Sequence, residues 1–199
     1  MKYFLIFTII FSFLIVGCKG QPTAPEGVQT IPQAEYEKQV DNYTQKIEKY
    51  EGIGNVLNFT ATLINSKVGQ AQVMQKARMY QWDSSNFNSE MQKMNSDLDQ
   101  STQVFISFYT PERKHDDLHK NKTLWKIFLD ADGRRWEGKA TKIKLLTNEV
   151  QGLYPEHTRF ATPYMLTFPV SAKLIESKPI RLTMTGTVTS ATVEFPPAQ

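Results

Sequence analysis

The spacing of apolar positions changes several times along the first half of the chain, and each spacing predicts an element. Over residues 35–50 the apolar positions recur at alternating steps of four and three, which predicts an amphipathic helix. Residues 55–64 alternate between apolar and polar and predict a half-buried strand. Helical spacing returns over residues 66–81 and 83–98, and Asp83, Ser84 or Ser85 could cap the second of these helices.

The second half of the chain is dominated by short alternating runs separated by turn residues. The Asp132–Gly133 pair between two such runs is typical of a hairpin turn. The predicted strands cover residues 102–109, 123–130, 134–144, 164–172 with an interruption at Pro169, 180–184 with a break or bulge at Gly186, and 193–195. A charged surface loop is predicted at 112–122 and an irregular stretch at 149–163. The pattern predicts an α+β fold, mainly an antiparallel β-sandwich (immunoglobulin-like or similar), with about three helices in the N-terminal half.

The N-terminus has the pattern of a secretory leader. Lys2 precedes an uncharged run at residues 3–16, which is shorter than the roughly 20 residues that a membrane-spanning helix needs. The end of this run, Ile-Val-Gly-Cys at residues 15–18, resembles the lipobox of bacterial lipoproteins. The resemblance implies cleavage before Cys18, acylation of Cys18 and, because Lys19 follows, delivery to the outer membrane. An ordinary signal peptide and an uncleaved anchor helix are the alternatives.

The segment after the predicted lipid attachment site is rich in proline and glycine. Residues 18–34 therefore read as the lipidated cysteine and a flexible tether, and residues 35–199 as one domain, helix-rich over 35–100 and β-rich over 101–199. A leader comprising residues 1–17 completes this division. A domain of this size buries enough surface to fold without a metal or disulfide.

Composition limits the function classes further. The chain of 199 residues is 40% hydrophobic and 22% charged, which excludes a wholly disordered or collagenous protein. Its single cysteine excludes an intrachain disulfide and a cysteine-based zinc site. The net charge of +3 drops by one when Lys2 leaves with the leader. Such a small surplus points neither to nucleic acid nor to an acidic surface as partner.

Two short motifs invite a metal-site interpretation, and both are weak. His115 and His119 are four residues apart, a spacing that suits zinc on a helix, but they lie in the predicted charged loop after a proline. The acidic run ending at Gly133 lacks acids at the first and last positions of a calcium loop. No nucleophile-elbow or phosphate-loop pattern occurs, so we expect a protein that is not an enzyme and carries no cofactor.

Aromatic and basic residues are interleaved in two stretches and mark a possible partner or ligand surface. Such mixtures occur at recognition surfaces, although they also close the open ends of sandwiches. The residues concerned are Arg134, Arg135, Trp136, Tyr154, His157, Arg159 and Tyr164.

As a whole the chain resembles lipoproteins of Gram-negative bacteria that carry a small β-sandwich on a lipidated tether. The resemblance rests on the lipobox and, less specifically, on residues 105–118, 132–138 and 153–169. It implies a location and a fold but no mechanism. We therefore expect a lipid-anchored, non-enzymatic envelope protein with a structural or partner-binding role, whose partners are the bilayer and an envelope protein. The alternative is a periplasmic lipoprotein that binds a small molecule or a glycan.

Overall fold

The computed structural model describes residues 25–198. The predicted leader, Cys18 and the first part of the predicted tether lie outside the described residues. Within them the helices are α1 (Gln33–Asp41), α2 (Ser66–Tyr80), α3 (Ser84–Gln100), α4 (Thr147–Leu153) and α5 (Ala172–Ile175). The strands are β1 (Thr44–Glu51), β2 (Gly54–Ile64), β3 (Thr102–Tyr109), β4 (Trp125–Ala131), β5 (Arg134–Glu137), β6 (Lys139–Lys142), β7 (Thr162–Phe168), β8 (Ile180–Gly186) and β9 (Ser190–Phe195).

The strands form two antiparallel sheets. The five-stranded sheet has the order β1-β2-β3-β7-β6, and the four-stranded sheet has the order β5-β4-β8-β9. Because side chains alternate across a strand, each sheet has an inner and an outer face. The inner residues of both sheets form one core that includes Phe59, Ile106, Leu166, Leu129 and Leu182, each at most 1% exposed.

The two sheets are joined at a corner where the chain passes from β5 of the four-stranded sheet to β6 of the five-stranded sheet. Strands β5 and β6 are separated only by Gly138, whose backbone N–H donates to the Ile127 carbonyl at 2.9 Å. A Cβ atom at Gly138 would lie 2.8 Å from Cζ of the buried Phe168 ring. The single strand predicted over residues 134–144 is therefore two strands, since only glycine allows the chain to turn this tightly against Phe168.

The helices cover one end of the outer face of the five-stranded sheet. Leu98 of α3 packs with Ile64, and Val150 of α4 packs with Phe105. Asp83 caps α3 as expected, because its carboxylate accepts from the Asn86 N–H at 2.7 Å. The α+β class with antiparallel sheets is confirmed. The described residues contain five helices: three precede residue 101, where about three are predicted, and the short helices α4 and α5 in the second half are not predicted.

The helix predicted over residues 35–50 is wrong in its second half. Helix α1 ends at Asp41. Residues Thr44 to Glu51 form strand β1, which pairs with β2 over the whole length of β1. The Thr44 hydroxyl donates to the Val40 carbonyl at 2.8 Å and so satisfies an acceptor at the helix end. Pairing with a long neighbouring strand outweighs the weak local preference for helix.

The tether predicted for residues 18–34 also extends too far. Ile31 is 3% exposed and belongs to the main core, and Val28 packs with Val73 and Phe87. The packed chain thus begins before residue 35. Apolar contacts made by single residues between prolines and glycines produce no periodicity, so the sequence pattern did not indicate them.

Candidate functional site

The outer face of the five-stranded sheet carries a groove beside the helices. We call this feature the sheet groove and divide it into two lobes that share Thr60, Ser107 and Glu156. The helix lobe lies beside Glu37 and Asp41 of α1 and has a volume of about 420 Å³. The hairpin lobe lies over Lys46 and Asn58 of the β1–β2 hairpin and has a volume of about 360 Å³. Each volume is typical of a small-molecule site. The lining consists of Glu37, Lys38, Val40, Asp41, Thr44, Lys46, Glu48, Asn58, Phe59, Thr60, Thr62, Phe105, Ser107, Tyr109, Tyr154, Pro155, Glu156, His157, Thr158, Phe160 and Ala161.

The floor of the groove is built from polar side chains on neighbouring strands. Thr60 of β2 is directly opposite Ser107 of β3 in the antiparallel register, so both side chains project from the same face. Thr62 follows two residues after Thr60, and its hydroxyl lies 2.8 Å from that of Thr44. The floor therefore carries a row of hydroxyl groups, of which those of Thr44 and Thr62 bond to each other and that of Ser107 bonds to His157.

The loop at residues 154–161 forms one wall and is held against the floor. The Tyr154 ring stacks on Phe105 with the planes 4° apart. His157 Nδ1 lies 2.8 Å from Ser107 Oγ, and its ring meets Phe105 edge-on. The Gln151 side chain donates to the His157 carbonyl at 2.9 Å. These contacts fix the wall before any ligand binds.

Helix α1 forms the opposite wall, and buried polar contacts tie it to α2 and α4. The Tyr36 hydroxyl donates to the Leu153 carbonyl at 2.5 Å. The Gln75 amide donates to Gln33 Oε1 at 2.8 Å and to the Gly152 carbonyl at 3.0 Å. Burial raises the pKa of Tyr36 well above its ordinary value, so the phenol remains a neutral donor. The separation of the two walls is therefore set by hydrogen bonds that link three helices.

The Ser107–His157 pair is the arrangement in the groove that comes nearest to catalytic chemistry. Burial lowers the pKa of His157 below its ordinary value of 6.5, which leaves a neutral imidazole at pH 7. A hydroxyl beside a neutral imidazole is half of a Ser-His-Asp arrangement. Among the described residues, however, no carboxylate is hydrogen-bonded to His157. The pair orders the wall and does not form such a triad.

The hairpin lobe is bordered by aromatic rings that are open to solvent. Phe160 is 71% exposed and Tyr109 is 37% exposed, and both line this lobe. The Arg159 guanidinium lies 4.8 Å from the centre of the Phe160 ring and covers one face of it. Tyr154, in contrast, is buried in the helix lobe, and burial raises its pKa to about 12. The groove thus combines a polar floor with apolar rings at its mouth.

The partner or ligand surface predicted from the sequence is divided by the structure. Arg134, Arg135 and Trp136 lie on β5 in the four-stranded sheet, whereas Tyr154 and His157 line the sheet groove. Arg135 is paired with Asp130 through its Nε atom at 2.7 Å. The two sequence stretches therefore lie in different parts of the fold and do not form one surface.

Tyr164 lies on the inner face of the five-stranded sheet, opposite Ile106 and fully buried. Its hydroxyl donates to Asp116 Oδ1 at 2.8 Å, and His119 Nδ1 lies 3.2 Å from it. Burial, followed by the neighbouring Asp116 carboxylate, raises the pKa of Tyr164. This residue fastens the loop that closes the end of the core and does not contact the groove.

The run from His115 to His119 is partly buried and not simply a solvated loop. Asp117 is 5% exposed and accepts hydrogen bonds from the Thr123 hydroxyl and the Leu124 N–H. His115 contributes its carbonyl, which accepts from the Trp125 indole at 2.8 Å. Over residues 25–198 there is no group of three or more histidine, cysteine or acidic side chains that could hold a metal ion.

Sequence reasoning missed most of the groove, although part of it left a signal. Thr60, Thr62 and Ser107 are the polar members of alternating strands, which normally face water, and here they face a groove. Helix α4, which carries the loop wall, lies in the stretch that the sequence predicts as irregular. Its buried residues Val150 and Leu153 have helical spacing, and the buried Tyr154 follows directly, but this pattern is too short to stand out.

No helix in the part of the chain that the structure describes has the length and apolar character needed to cross a membrane. The chain matches no protein-family model, no curated protein and no solved structure.

Proposed function

We propose that this protein is a lipid-anchored envelope lipoprotein that acts by binding a small polar ligand in the sheet groove, without catalysing a reaction. The observation that supports the proposal best is the groove itself, a concave site with a hydroxyl-lined floor at Thr60 and Ser107 and fixed walls. Pockets of this kind, mostly preformed and with a few convergent polar groups, are typical of ligand sites.

The structure gives less support to docking of a protein partner on the apolar stripes of the sequence. Phe87, Met91 and Met94 of α3 pack against residues of α2 within the domain. Tyr36 and Val40 of the first stripe are buried in the main core. Most residues of both stripes are therefore used internally, which favours the ligand-binding alternative over the structural or partner-binding role.

The anchor is proposed on the sequence alone, because Cys18 lies outside the described residues. Several acyl chains on one cysteine hold a protein stably at a membrane, whereas a single chain binds marginally. Outer-membrane delivery, with the domain facing the periplasm or the cell surface, is part of the same proposal. Cys18→Ser is expected to abolish metabolic labelling with palmitate and to slow removal of the leader. Unchanged labelling would refute the anchor without affecting the groove.

We also propose that the two sheets are best classed as a sandwich with a shared corner at Gly138. The common core of both inner faces supports this class. The strand order β5-β4-β8-β9 and the helices between β2 and β3 do not support an immunoglobulin-like arrangement.

Native mass spectrometry of the protein extracted from its own membranes tests the binding function. Thr60 lies where the lobes meet, so Thr60→Trp should fill the groove. Thr183→Trp is the matched control, because Thr183 faces outward from a central strand of the other sheet. We expect a bound small molecule on the wild-type protein and on Thr183→Trp, and its loss from Thr60→Trp.

Two results would contradict the proposal. One is a wild-type protein that carries no bound molecule and also fails to bind any member of a mixed set of sugars and dipeptides. The other is a ligand that Thr60→Trp retains in full while circular dichroism shows that this variant is folded.

A further inference from the structure

We infer that the ligand of the sheet groove is a neutral oligosaccharide of at least two linked sugar rings. This inference rests on the proposed function and adds the chemical class of the ligand. It follows from the joint placement of exposed aromatic rings, a hydroxyl-lined floor and a surplus of carboxylates.

The aromatic rings at the mouth are placed where a sugar could stack. A sugar ring has a face of C–H groups that packs on a flat aromatic surface, while its hydroxyls remain at the edge. Phe160 is 71% exposed with one face covered by Arg159, which leaves its other face for a ligand. Tyr109, on β3, lines the same lobe.

The floor beneath these rings matches the hydroxyl groups of a sugar. Asn58 and Thr60 on β2 are opposite Tyr109 and Ser107 on β3, so an amide and two hydroxyls lie beside an aromatic ring. An amide and a hydroxyl can each donate and accept, which is the requirement for binding a polyol. Glu156, shared by both lobes, adds an acceptor on the wall.

The charges that line the groove disfavour a strongly anionic ligand, although Arg159 adds one cation beside Phe160 at the mouth. The lining includes the carboxylates of Glu37, Asp41, Glu48 and Glu156 and the amines of Lys38 and Lys46. Lys46 is already paired with Glu48 at 2.9 Å. The groove is thus acidic although the whole chain carries +3. Phosphorylated or sulfated ligands would be repelled, whereas neutral sugars carry no such penalty.

The length of the groove requires more than one sugar ring. Its floor runs along β2 from Asn58 to Thr62, which is about 13 Å at 3.3 Å per residue. A single ring beside Phe160 would leave the helix lobe empty, so the affinity should rise when further rings reach it.

An extended peptide fits the groove less well. Peptides that add to a sheet use the free backbone groups of an edge strand. Strand β2 is hydrogen-bonded to β1 on one side and to β3 on the other, and β3 is in turn bonded to β7. The strands β2 and β3 of the floor therefore offer side chains but no open backbone edge.

Isothermal titration of the non-acylated mature chain, Cys18→Ser, tests the inference. The probes are the neutral tetrasaccharides of glucose (β-1,4 and α-1,4) and of N-acetylglucosamine, a sulfated heparin tetrasaccharide and tetra-alanine. We expect at least one neutral tetrasaccharide to bind at least tenfold more tightly than its monosaccharide, and the sulfated probe not to bind. Phe160→Ala should weaken the binding at least fivefold. The control Leu174→Ala removes an equally exposed side chain, 74% accessible and outside the groove lining, and should leave the affinity unchanged.

The outcomes separate the ligand class from the binding function. If no neutral tetrasaccharide binds, or if Phe160→Ala binds as the wild type does, the inference is wrong. If tetra-alanine alone binds and Thr60→Trp abolishes its binding, the groove is a binding site but its ligand is a peptide. If none of the probes binds and the protein from its own membranes carries no molecule, the proposed function fails as well.

Discussion

His157 Nδ1 lies 2.8 Å from Ser107 Oγ, and this contact joins the loop wall of the sheet groove to its floor. His157 is 3% exposed and Ser107 is 5% exposed, so the pair is shielded from water. A hydrogen bond that is made without a ligand keeps the wall in place, and a preformed site binds without first ordering a loop. The shape of the groove therefore depends on this buried contact between one serine and one histidine.

The stability of the fold should depend on pH through His157. Burial lowers the pKa of His157 in the folded chain below 6.5, so between these two values the unfolded chain binds the proton and the folded chain does not. The free energy of unfolding should therefore decrease as the pH falls below 6.5, and this loss should stop below the folded-state pKa. Urea denaturation over a series of pH values measures the effect.

The control for this prediction is His157→Asn, which keeps a polar side chain near Ser107 but cannot titrate. Its free energy of unfolding should change less with pH below 6.5 than that of the wild type. A direct reading comes from the ring proton signals of the histidines in NMR spectra. A His157 signal that titrates at or above 6.5 would refute the prediction.

Loss of the Tyr164 hydroxyl should destabilise the closed end of the core. Tyr164→Phe removes the donor to Asp116 Oδ1 and leaves this carboxylate with one bonding partner fewer in a partly buried place. We expect a decrease of about 1–3 kcal/mol in the free energy of unfolding. Tyr80→Phe is the control, since Tyr80 is 48% exposed, and its effect should stay within about 0.5 kcal/mol. Equal effects of the two changes would contradict the role of Tyr164.

A side chain at the corner between the sheets should not be tolerated. In Gly138→Ala the new methyl group would press on the Phe168 ring, which is fully buried and cannot move into solvent. Overpacking of this kind costs about 1–3 kcal/mol. Thermal and urea denaturation of Gly138→Ala measure this loss.

Gly54→Ala provides the comparison for the corner. The nearest atom to its new methyl group is the Glu51 carbonyl oxygen at 3.5 Å, an ordinary contact. Its stability should therefore lie within about 0.5 kcal/mol of the wild type. A Gly138→Ala protein as stable as Gly54→Ala would show that the corner has room for a side chain.

The sequence predicted well those elements that have a long, regular pattern. The strand at residues 55–64 and the helices at 66–81 and 83–98 match β2, α2 and α3 closely, because each buries one periodic face. The helix predicted over residues 35–50 is wrong in its second half for the opposite reason. Their spacing of three and four fits a helix, but the buried positions belong to a helix, a turn and a strand that share one core.

The candidate site was predicted only in part, because it depends on which faces meet. Tyr154 and His157 were singled out as aromatic and basic neighbours and do line the groove. Tyr164 was singled out by the same reasoning, yet it points to the inner face. The partners of the first two, Thr60 and Ser107, come from distant strands, and their proximity is set by the sheet register. Local composition does not encode that register.

The most direct test of the account is to map the position of a bound ligand on the ¹⁵N-labelled mature chain by NMR during titration with the neutral tetrasaccharides. The account predicts saturable shifts of the backbone amides of Thr60, Ser107, His157 and Phe160, with that of Thr183 on the other sheet unchanged. Shifts that cluster on the four-stranded sheet around Arg134 and Arg135, or no saturable shift with any of the tetrasaccharides, would contradict it.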